Sequence, residues 1–303
     1  MSNTLKNSLL VAISCIISIL IIELFLSIGF GLGNPILYHP SSIYGYRLNP
    51  NQHVTRINNK TIKTNNLGLR TSKDWDQDKS NKILFLGDSV TYGGSYIDNS
   101  ELFTSLIDKR LPNYQVGNAA CNGYGVINSH NLVVDSQFQP ASIYVTLVAD
   151  SNFERSLAKS YGWFQSPRFA VIELMFHYLE RFVHTIKYKT TYSPEYDEKP
   201  YTIKRSAQKL KTLDTHLKQQ GYQHYIFIIP FKNEITQNRP FNPLVSKLLK
   251  QHQLDVFFIK DSPLITKLNK NQIDEIFYDH MHLSKKGHEI YAEIILKELQ
   301  SKL

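Results

Sequence analysis

Three side chains in this sequence have the types and the placement that catalysis by a serine nucleophile requires. Ser89 follows the apolar run ILFLGD, and Asp279 and His282 lie near the end of the chain in YDHMHLS. A serine hydroxyl needs a base to become a nucleophile, and a histidine base needs a carboxylate that orients its ring. Because Asp279 and His282 are close in sequence, one loop can let the carboxylate hold Nδ1 while Nε2 faces Ser89. The pattern therefore favours a Ser-His-Asp site.

Other roles for the same residues stay open at this point. His280 is a competing base, since spacing alone does not exclude it. Asp88 and Ser89 could instead cap the helix that follows them, and His282 could be an ordinary surface histidine. The joint placement of the three side chains, after the first strand and before the last helix, favours the catalytic interpretation.

The elements that must position these side chains follow an alternating pattern from residue 82 onward. Stretches of strand length are largely apolar rather than alternating, which indicates strands buried on both faces. The sequence therefore predicts a parallel sheet with helices on each side, and ligand sites in such sheets lie beyond the carboxyl ends of the strands. Ser89 comes immediately after the first strand, at that rim. The predicted strands are KILFLG (82–87), QVGNA (115–119), SIYVTLVA (142–149), HYIFIIP (224–230) and DVFFIK (255–260).

Three sequence blocks, GDSVTYGG (87–94), NAACNGYG (118–125) and DHMHLS (279–284), resemble those of the SGNH hydrolase family, also called the GDSL esterase or lipase family. The lead-in TNNLGLR (64–70) resembles the approach segment of its membrane-anchored bacterial members, and the whole resemblance covers residues 64–300. It implies a flavodoxin-like three-layer α/β/α sandwich. It also implies that Ser89 is the nucleophile and an oxyanion-hole donor, that Gly123 gives a second backbone N–H, and that Asp279 and His282 complete the site.

One block departs from the family pattern. The family's third block usually reads Gly-x-Asn-Asp, and its asparagine side chain donates to the oxyanion, whereas this chain reads VTLVADSNFERS (145–156). Counting from the strand places Asp150 at the asparagine position, and a shift of two residues places Asn152 there. An ionised aspartate would repel an oxyanion, so Asp150 could donate only if protonated. Asn152 could donate if the loop is one or two residues longer, and it is the donor that we name, while the choice between the two stays open. The loss of one such donor lowers the rate by about 100- to 1000-fold.

The N-terminal part of the chain predicts a membrane anchor. The 22 residues from Leu9 to Phe30 carry one charge, Glu23, and such a run is long enough to cross a bilayer as a helix. Lys6 precedes the run and no Lys or Arg follows it until Arg47, so the N-terminus is expected in the cytoplasm. We therefore expect a single-pass protein of the inner membrane with an extracytoplasmic, periplasmic domain.

The predicted domain organisation has three parts. Residues 1–32 form the anchor, residues 33–80 a polar connector with a short hairpin around residues 58–60, and residues 81–303 the SGNH-like domain. A mainly helical insertion at about 156–201 interleaves aromatic and basic residues. It could be a lid, an acceptor-binding surface, or a helical hairpin packed on the core or on the membrane.

Charge and composition limit the classes of partner. The 303 residues carry a formal net charge of +8, which suits an anionic surface such as phospholipid or acidic polysaccharide. No long basic run or zinc-finger spacing is present, so nucleic acid is not expected. His177 and His184 have no carboxylate partner at the right spacing, and we expect neither a metal nor another cofactor.

Two functional hypotheses follow. In the first, the chain is a serine esterase or O-acyltransferase that acts on ester groups, O-acetyl groups above all, of cell-envelope glycans through an acyl-serine intermediate. In the second, the altered third block makes catalysis weak or absent, and the domain binds envelope polysaccharide or its assembly machinery.

Overall fold

A computed structural model describes residues 2–75, 81–158, 165–176, 178–179 and 195–302, without the side chains of residues 57 and 195–198. Its first element is α1 (Asn3–Phe30), an apolar helix whose side chains are exposed except for Glu23, which is half-buried, and Leu26, which is buried. In the described ranges, α1 is the one helix long and apolar enough to cross a membrane, by length and composition. It coincides with the predicted anchor.

Two antiparallel hairpins follow in the connector. β1 (Tyr38–Ser41) pairs with β2 (Gly45–Leu48), and β3 (His53–Arg56) pairs with β4 (Lys60–Lys63). The second hairpin turns at the Asn-rich residues 57–59, where the sequence suggested one, while the first was not recognised. The hairpins do not stand apart from the rest of the chain, because their apolar side chains share one buried cluster with residues beyond residue 81. This cluster comprises Ile36, Tyr38, Tyr46, Leu48, Val54, Ile62, Tyr92, Ala120, Cys121 and Tyr124.

A five-stranded parallel sheet forms the centre of the molecule, and it confirms the predicted fold class. The strand order is β6-β5-β7-β8-β9, with every neighbouring pair parallel. In order of sequence this is 2-1-3-4-5, the flavodoxin-like order. The strands are β5 (Lys82–Leu86), β6 (Gln115–Asn118), β7 (Ile143–Val148), β8 (Gln223–Ile228) and β9 (Val256–Phe258).

Helices cover both faces of the sheet because alternate strand residues point to opposite sides. Ile83 and Phe85 join the core cluster under one helical layer, and Leu84 and Leu86 join the cluster under the other. The helices after α1 are α2 (Ser89–Tyr92), α3 (Phe103–Arg110), α4 (Val126–His130), α5 (Asp150–Phe153), α6 (170–176 and 178–179), α7 (Glu195–Gln219), α8 (Lys232–Thr236), α9 (Pro243–Gln251), α10 (Pro263–Thr266), α11 (Lys270–Ile276) and α12 (Lys285–Gln300). The first layer contains α3, α11 and α12, and the second contains α4, α7 and α9.

Candidate active site

The turn that carries Ser89 joins β5 to the single-turn helix α2. Asp88 is the N-cap of α2, and its Oδ1 accepts the Val90 N–H at 3.0 Å, which is the capping role that one alternative gave it. Gly93 ends the helix with a φ of +95°, and a Cβ there would lie 2.2 Å from the side chain of Leu102. The sharp stop at both ends presents Ser89 beyond the carboxyl end of β5.

The loop between α11 and α12 brings the other two residues to Ser89. His282 Nε2 lies 2.8 Å from Ser89 Oγ, and His282 Nδ1 lies 2.7 Å from Asp279 Oδ2. Asp279 also shapes its own loop, because its Oδ1 accepts the backbone N–H groups of Met281 and His282, each at 2.8 Å. The structure therefore brings together all three side chains that the spacing singled out, in the order serine, histidine, aspartate.

The second histidine of the loop, His280, does not reach the serine. Its side chain is 77% exposed and stacks on Phe231 with ring centroids 6.2 Å apart. His282 is the histidine in hydrogen-bonding distance of Ser89. The geometry thus favours His282 over His280 as the base.

The environment of Asp279 favours its ionised form. Partial burial raises the pKa of Asp279, but hydrogen bonds from the side chain and backbone of His282 and from Met281 outweigh it, so the pKa lies below the usual aspartate value. An ionised Asp279 holds the Nδ1 proton of His282 and leaves Nε2 free to accept the proton of Ser89.

A second hydroxyl–histidine–carboxylate relay lies inside the core, and it differs from the first in its exposure to solvent. Thr146 Oγ1 is 2.9 Å from His224 Nε2, and His224 Nδ1 is 3.1 Å from Asp214 Oδ1. All three residues are buried between the sheet and α7, whereas the His282 side chain is 25% exposed. The Thr146 relay ties α7 to the sheet, whereas the Ser89 relay has a histidine that is open to solvent.

The two candidates for the oxyanion donor point in different directions. Asn152 Nδ2 donates to Asp88 Oδ2 at 2.8 Å and to the Tyr124 carbonyl at 3.0 Å. Asn152 therefore lies between the segment that carries Ser89 and the segment that carries Gly123. The carboxylate of Asp150 instead accepts the Asn242 N–H, and burial raises its pKa.

Gly123, the other expected donor, adopts a left-handed conformation with a φ of +76°. An L-residue with a side chain rarely takes this conformation, so the turn requires glycine. The connector supports the turn: Tyr46 donates to the Asn122 carbonyl at 2.5 Å, and Tyr124 donates to the Tyr46 carbonyl. The oxyanion roles of Gly123 and Asn152 stay predictions.

Two arginines of the site were missed by sequence reasoning. Arg155 Nη1 donates to Asp88 Oδ2 at 3.1 Å and to the Tyr124 carbonyl at 2.8 Å. Arg70 is fully buried and donates to the carbonyls of Tyr92 and Gly94, which follow the nucleophile turn. Arg70 stands in the lead-in TNNLGLR, and this block was a signal that could have identified it. Arg155 had no such signal beyond its position in the altered third block.

An open cleft of about 430 Å³ extends from Gly123 across this face. Arg155, which reaches the buried carboxylate next to Ser89, forms part of its wall. The lining is rich in groups that can form hydrogen bonds. The lining residues are Gly123, Ser151, Glu154, Arg155, Ser156, Ala158, Lys199 and Thr202.

Metal ligands do not cluster in the part of the chain that the structure describes: no group of three His, Cys, Asp or Glu side chains could hold an ion there. His177 and His184, the pair considered from sequence, lie outside the described residues.

Comparison with known proteins finds similarity at the level of fold. No family model and no curated protein matches the chain. A lipase/acylhydrolase from Enterococcus faecalis shares 15% identity at a TM-score of 0.44, over 74% of this chain and 97% of that one. A lipolytic protein of the G-D-S-L family from Veillonella parvula shares 12% identity at a TM-score of 0.43, over 73% of this chain and 99% of that one. The acetyl xylan esterase AlAXEase shares 13% identity at a TM-score of 0.42, over 72% of this chain and 98% of that one.

Proposed function

We propose that this chain is a membrane-anchored serine esterase or O-acyltransferase whose nucleophile is Ser89. One observation carries the proposal: Ser89 Oγ, His282 and Asp279 form a continuous relay with distances of 2.8 and 2.7 Å at the partly exposed carboxyl edge of the sheet. A serine in this arrangement can lose its proton to His282 as it attacks a carbonyl carbon.

The reaction proceeds in two halves. In the first, Ser89 Oγ bonds to the ester carbonyl carbon and its proton passes to His282 Nε2; the tetrahedral oxyanion faces the donors at Ser89, Gly123 and Asn152. Collapse breaks the bond to the leaving alkoxide, which takes the proton from His282 and leaves an acyl-Ser89. In the second half, water or a bound hydroxyl gives its proton to His282 and attacks the acyl carbon. The bond from the acyl carbon to Ser89 Oγ then breaks, Oγ takes the proton back from His282, and the acid or the new ester leaves.

The cleft beside Gly123 supports a polar, hydroxyl-rich substrate. Its wall offers hydroxyl groups at Ser151, Ser156 and Thr202, together with the Arg155 guanidinium, and such groups suit the hydroxyls of a sugar better than a long acyl chain. The net charge of +8 favours an acidic polymer. We therefore propose O-acetylated glycans of the cell envelope as the substrate class. The N-terminal α1 would hold the domain at the inner membrane, on the periplasmic side.

The test is labelling of the full-length chain, in detergent micelles, by a fluorophosphonate, together with hydrolysis of a short-chain aryl ester. We expect the label on Ser89 and its loss in Ser89→Ala. His282→Ala should lower the rate of hydrolysis by about 10³- to 10⁶-fold. The matched control His280→Ala removes the neighbouring histidine of the same loop and should leave the rate within about twofold.

Labelling that persists undiminished in Ser89→Ala would refute the proposal.

A second experiment separates hydrolysis from transfer, with an acetylated oligosaccharide and an unacetylated acceptor of different mass. Mass spectrometry detects free acetate if water is the acceptor, and a newly acetylated acceptor if a sugar hydroxyl is.

A second function, binding with weak catalysis, is favoured by one observation. Both hydrogens of the Asn152 amide are already donated, to Asp88 and to the Tyr124 carbonyl, so an oxyanion has to compete for them. If the wild-type chain takes up the fluorophosphonate no faster than His282→Ala, the binding function is the better description.

A further inference from the structure

The helix α6 has its polar and apolar faces reversed with respect to a helix on a water-exposed surface. Ala170 and Glu173 face the rest of the protein and are buried, at 0% and 5% exposure. Ile172, Met175 and Leu179 follow the i, i+3, i+7 spacing of one helical face, yet they are 37%, 66% and 55% exposed. The large apolar side chains of α6 thus point outward, and its carboxylate points inward.

The start of α6 is attached to the anchor helix. Glu23 of α1 accepts the backbone N–H of Ala170 at 2.6 Å and that of Val171 at 2.9 Å, with one carboxylate oxygen each. The first N–H groups of a helix have no partner within the helix, and here a side chain of α1 satisfies them. The same two hydrogen bonds stabilise the carboxylate of Glu23, the single charged group of the apolar stretch, which would be costly inside a bilayer without such partners.

A buried ion pair fixes the angle between α6 and the end of α1. Arg56 of β3 binds Glu173 at 2.5 Å and also donates to the carbonyl of Gly31 at 2.7 Å. Glu173 in turn accepts the N–H of Gly33 at 2.7 Å. Glu173 therefore joins α6 to both the connector and the C-terminal end of the anchor helix, so α6 cannot turn its apolar face inward without breaking this set of contacts.

The position of Glu23 along α1 sets the depth of α6. Seven residues separate Glu23 from Phe30, which is about 10 Å at 1.5 Å per residue. The apolar stretch from Leu9 to Phe30 is about 33 Å long, close to the thickness of a bilayer's hydrocarbon core. The start of α6 at Glu23 therefore lies about 10 Å below the end of the apolar stretch, which is the deep limit for an amphipathic helix at the boundary between headgroups and acyl chains.

We propose that α6 is a second membrane-contacting element, embedded in the interfacial layer of the bilayer that α1 crosses. The proposal rests on the anchoring role proposed for α1. Lipid is the occupant that fits, because α6 begins against Glu23 of α1, and the neighbouring α1 side chains Ile22 and Phe25 are 50% and 64% exposed. With α1 and α6 both in the membrane, the domain is held at two points and has one orientation relative to the surface.

The test measures the surroundings of Met175 in the full-length chain. A bimane label is placed at Met175→Cys in a Cys15→Ser background; the remaining Cys121 is 1% exposed and does not react. The protein is reconstituted in vesicles of phosphatidylethanolamine and phosphatidylglycerol, with or without brominated acyl chains. Leu20→Cys on α1 is the reference for lipid, and Lys247→Cys on α9, an exposed position, is the reference for water.

We expect brominated lipid to quench the label at Met175 to within about twofold of the label at Leu20, and iodide to quench it far less than the label at Lys247. Quenching of Met175 by iodide would show a water-exposed face and overturn the proposal. Shielding from both quenchers would show a protein contact and overturn it as well. If the label at Leu20 escapes the brominated lipid, the anchoring of α1 fails, and the inference falls with it while the chemistry of Ser89 is unaffected.

A second measurement isolates the contact with Glu23. Glu23→Ala removes both acceptors from the start of α6, and we expect it to lower the lipid quenching of Met175 by about twofold or more. The matched change Ser18→Ala, also on α1, should leave it unchanged. Quenching of Met175 that survives Glu23→Ala in full would contradict the attachment of α6 to α1.

Discussion

The carboxylate of Asp88 is fully buried and gathers donors from two parts of the chain. Its Oδ1 accepts the Val90 N–H, and its Oδ2 accepts from Asn152 and Arg155. A buried carboxylate is stable only when it is paired and hydrogen-bonded. The pairing places the third block directly against the residue before Ser89, which explains how Asn152 enters the site although it stands two positions beyond the usual asparagine.

The first prediction separates Asn152 from Asp150. Asn152→Ala should lower the turnover of an aryl ester by about 100- to 1000-fold, because the oxyanion loses a donor. Asp150→Asn, the matched change in the same helix, keeps an acceptor for the Asn242 N–H and should leave turnover nearly unchanged. Turnover is compared at equal folded fraction, checked by circular dichroism. A larger loss in Asp150→Asn than in Asn152→Ala would reverse the assignment.

The second prediction concerns Glu234, which is 2% exposed and whose Oε1 has no hydrogen-bond partner in the described part of the chain. Burial, and then the neighbouring Asp150, raise its pKa to about 7, although Lys260 and Arg239 oppose the shift. The unfolded chain ionises Glu234 near pH 4.3. Between the unfolded pKa and the folded pKa, Glu234 is protonated in the folded state and ionised in the unfolded state. The free energy of unfolding therefore falls as the pH rises toward 7.

Glu234→Gln removes the cost of ionising this side chain. We expect the free energy of unfolding at pH 8 to rise by about 1–3 kcal/mol, and the gain to approach zero near pH 4. Urea unfolding at both pH values, followed by circular dichroism, measures the difference. An equal gain at both pH values would show that the effect does not depend on ionisation.

At the scale of elements, Arg70 connects the lead-in segment to the nucleophile turn. Four hydrogen bonds reach Asn99 Oδ1 and the carbonyls of Tyr92, Gly94 and Ile97, at 2.6 to 3.1 Å. Burial lowers the pKa of Arg70, opposed in part by nearby tyrosines and Asp98. The planar guanidinium can meet these separate acceptors at once, whereas an ammonium group cannot.

The third prediction follows from this geometry. Arg70→Lys should lower the free energy of unfolding by about 2–4 kcal/mol and slow the labelling of Ser89, because the end of α2 loses its support. Arg110→Lys is the matched control, since Arg110 is 49% exposed and pairs with Glu293 at the surface. If both changes have the same effect on unfolding and labelling, Arg70 does not support the turn.

Prediction from sequence worked best where one local pattern decides the structure. The five strands were found because their apolar residues form runs of strand length, although β9 is only half-buried. Ser89 and His282 were found because they stand where a strand ends and where a helix begins. Arg155 was missed because its partners, Asp88 and the Tyr124 carbonyl, are far away in sequence. The choice between Asp150 and Asn152 stayed open for the same reason, since it depends on contacts with those distant residues.

At the scale of the whole molecule, the connector packs on the segments that carry Ser89 and Gly123. Tyr38 and Tyr46 are buried against Tyr92 and Tyr124, which follow Ser89 and Gly123. The sequence could not show this, because short strands in a polar segment indicate hairpins but not the surface on which they pack. The boundary near residue 80 stays a prediction, and truncation at that point tests it.

The fourth prediction tests this dependence. A chain that begins at residue 81 exposes Tyr92 and Tyr124, and we expect it to unfold at a lower temperature and to lose fluorophosphonate labelling. A chain that begins at residue 33 keeps the buried tyrosine cluster and should label Ser89 at the rate of the full-length protein. Labelling at the full-length rate by the shorter chain would show that the connector is dispensable.

The separation of 193 residues between Ser89 and His282 also determines when the reactive serine arises during synthesis. At about 5–20 residues per second, roughly 10–40 s pass between the addition of Ser89 and that of His282. Throughout that interval the growing chain holds a serine without its base. In the proposed mechanism the hydroxyl becomes a nucleophile when the last loop docks against the finished sheet, so a nascent or prematurely terminated chain lacks the base for attack on neighbouring esters.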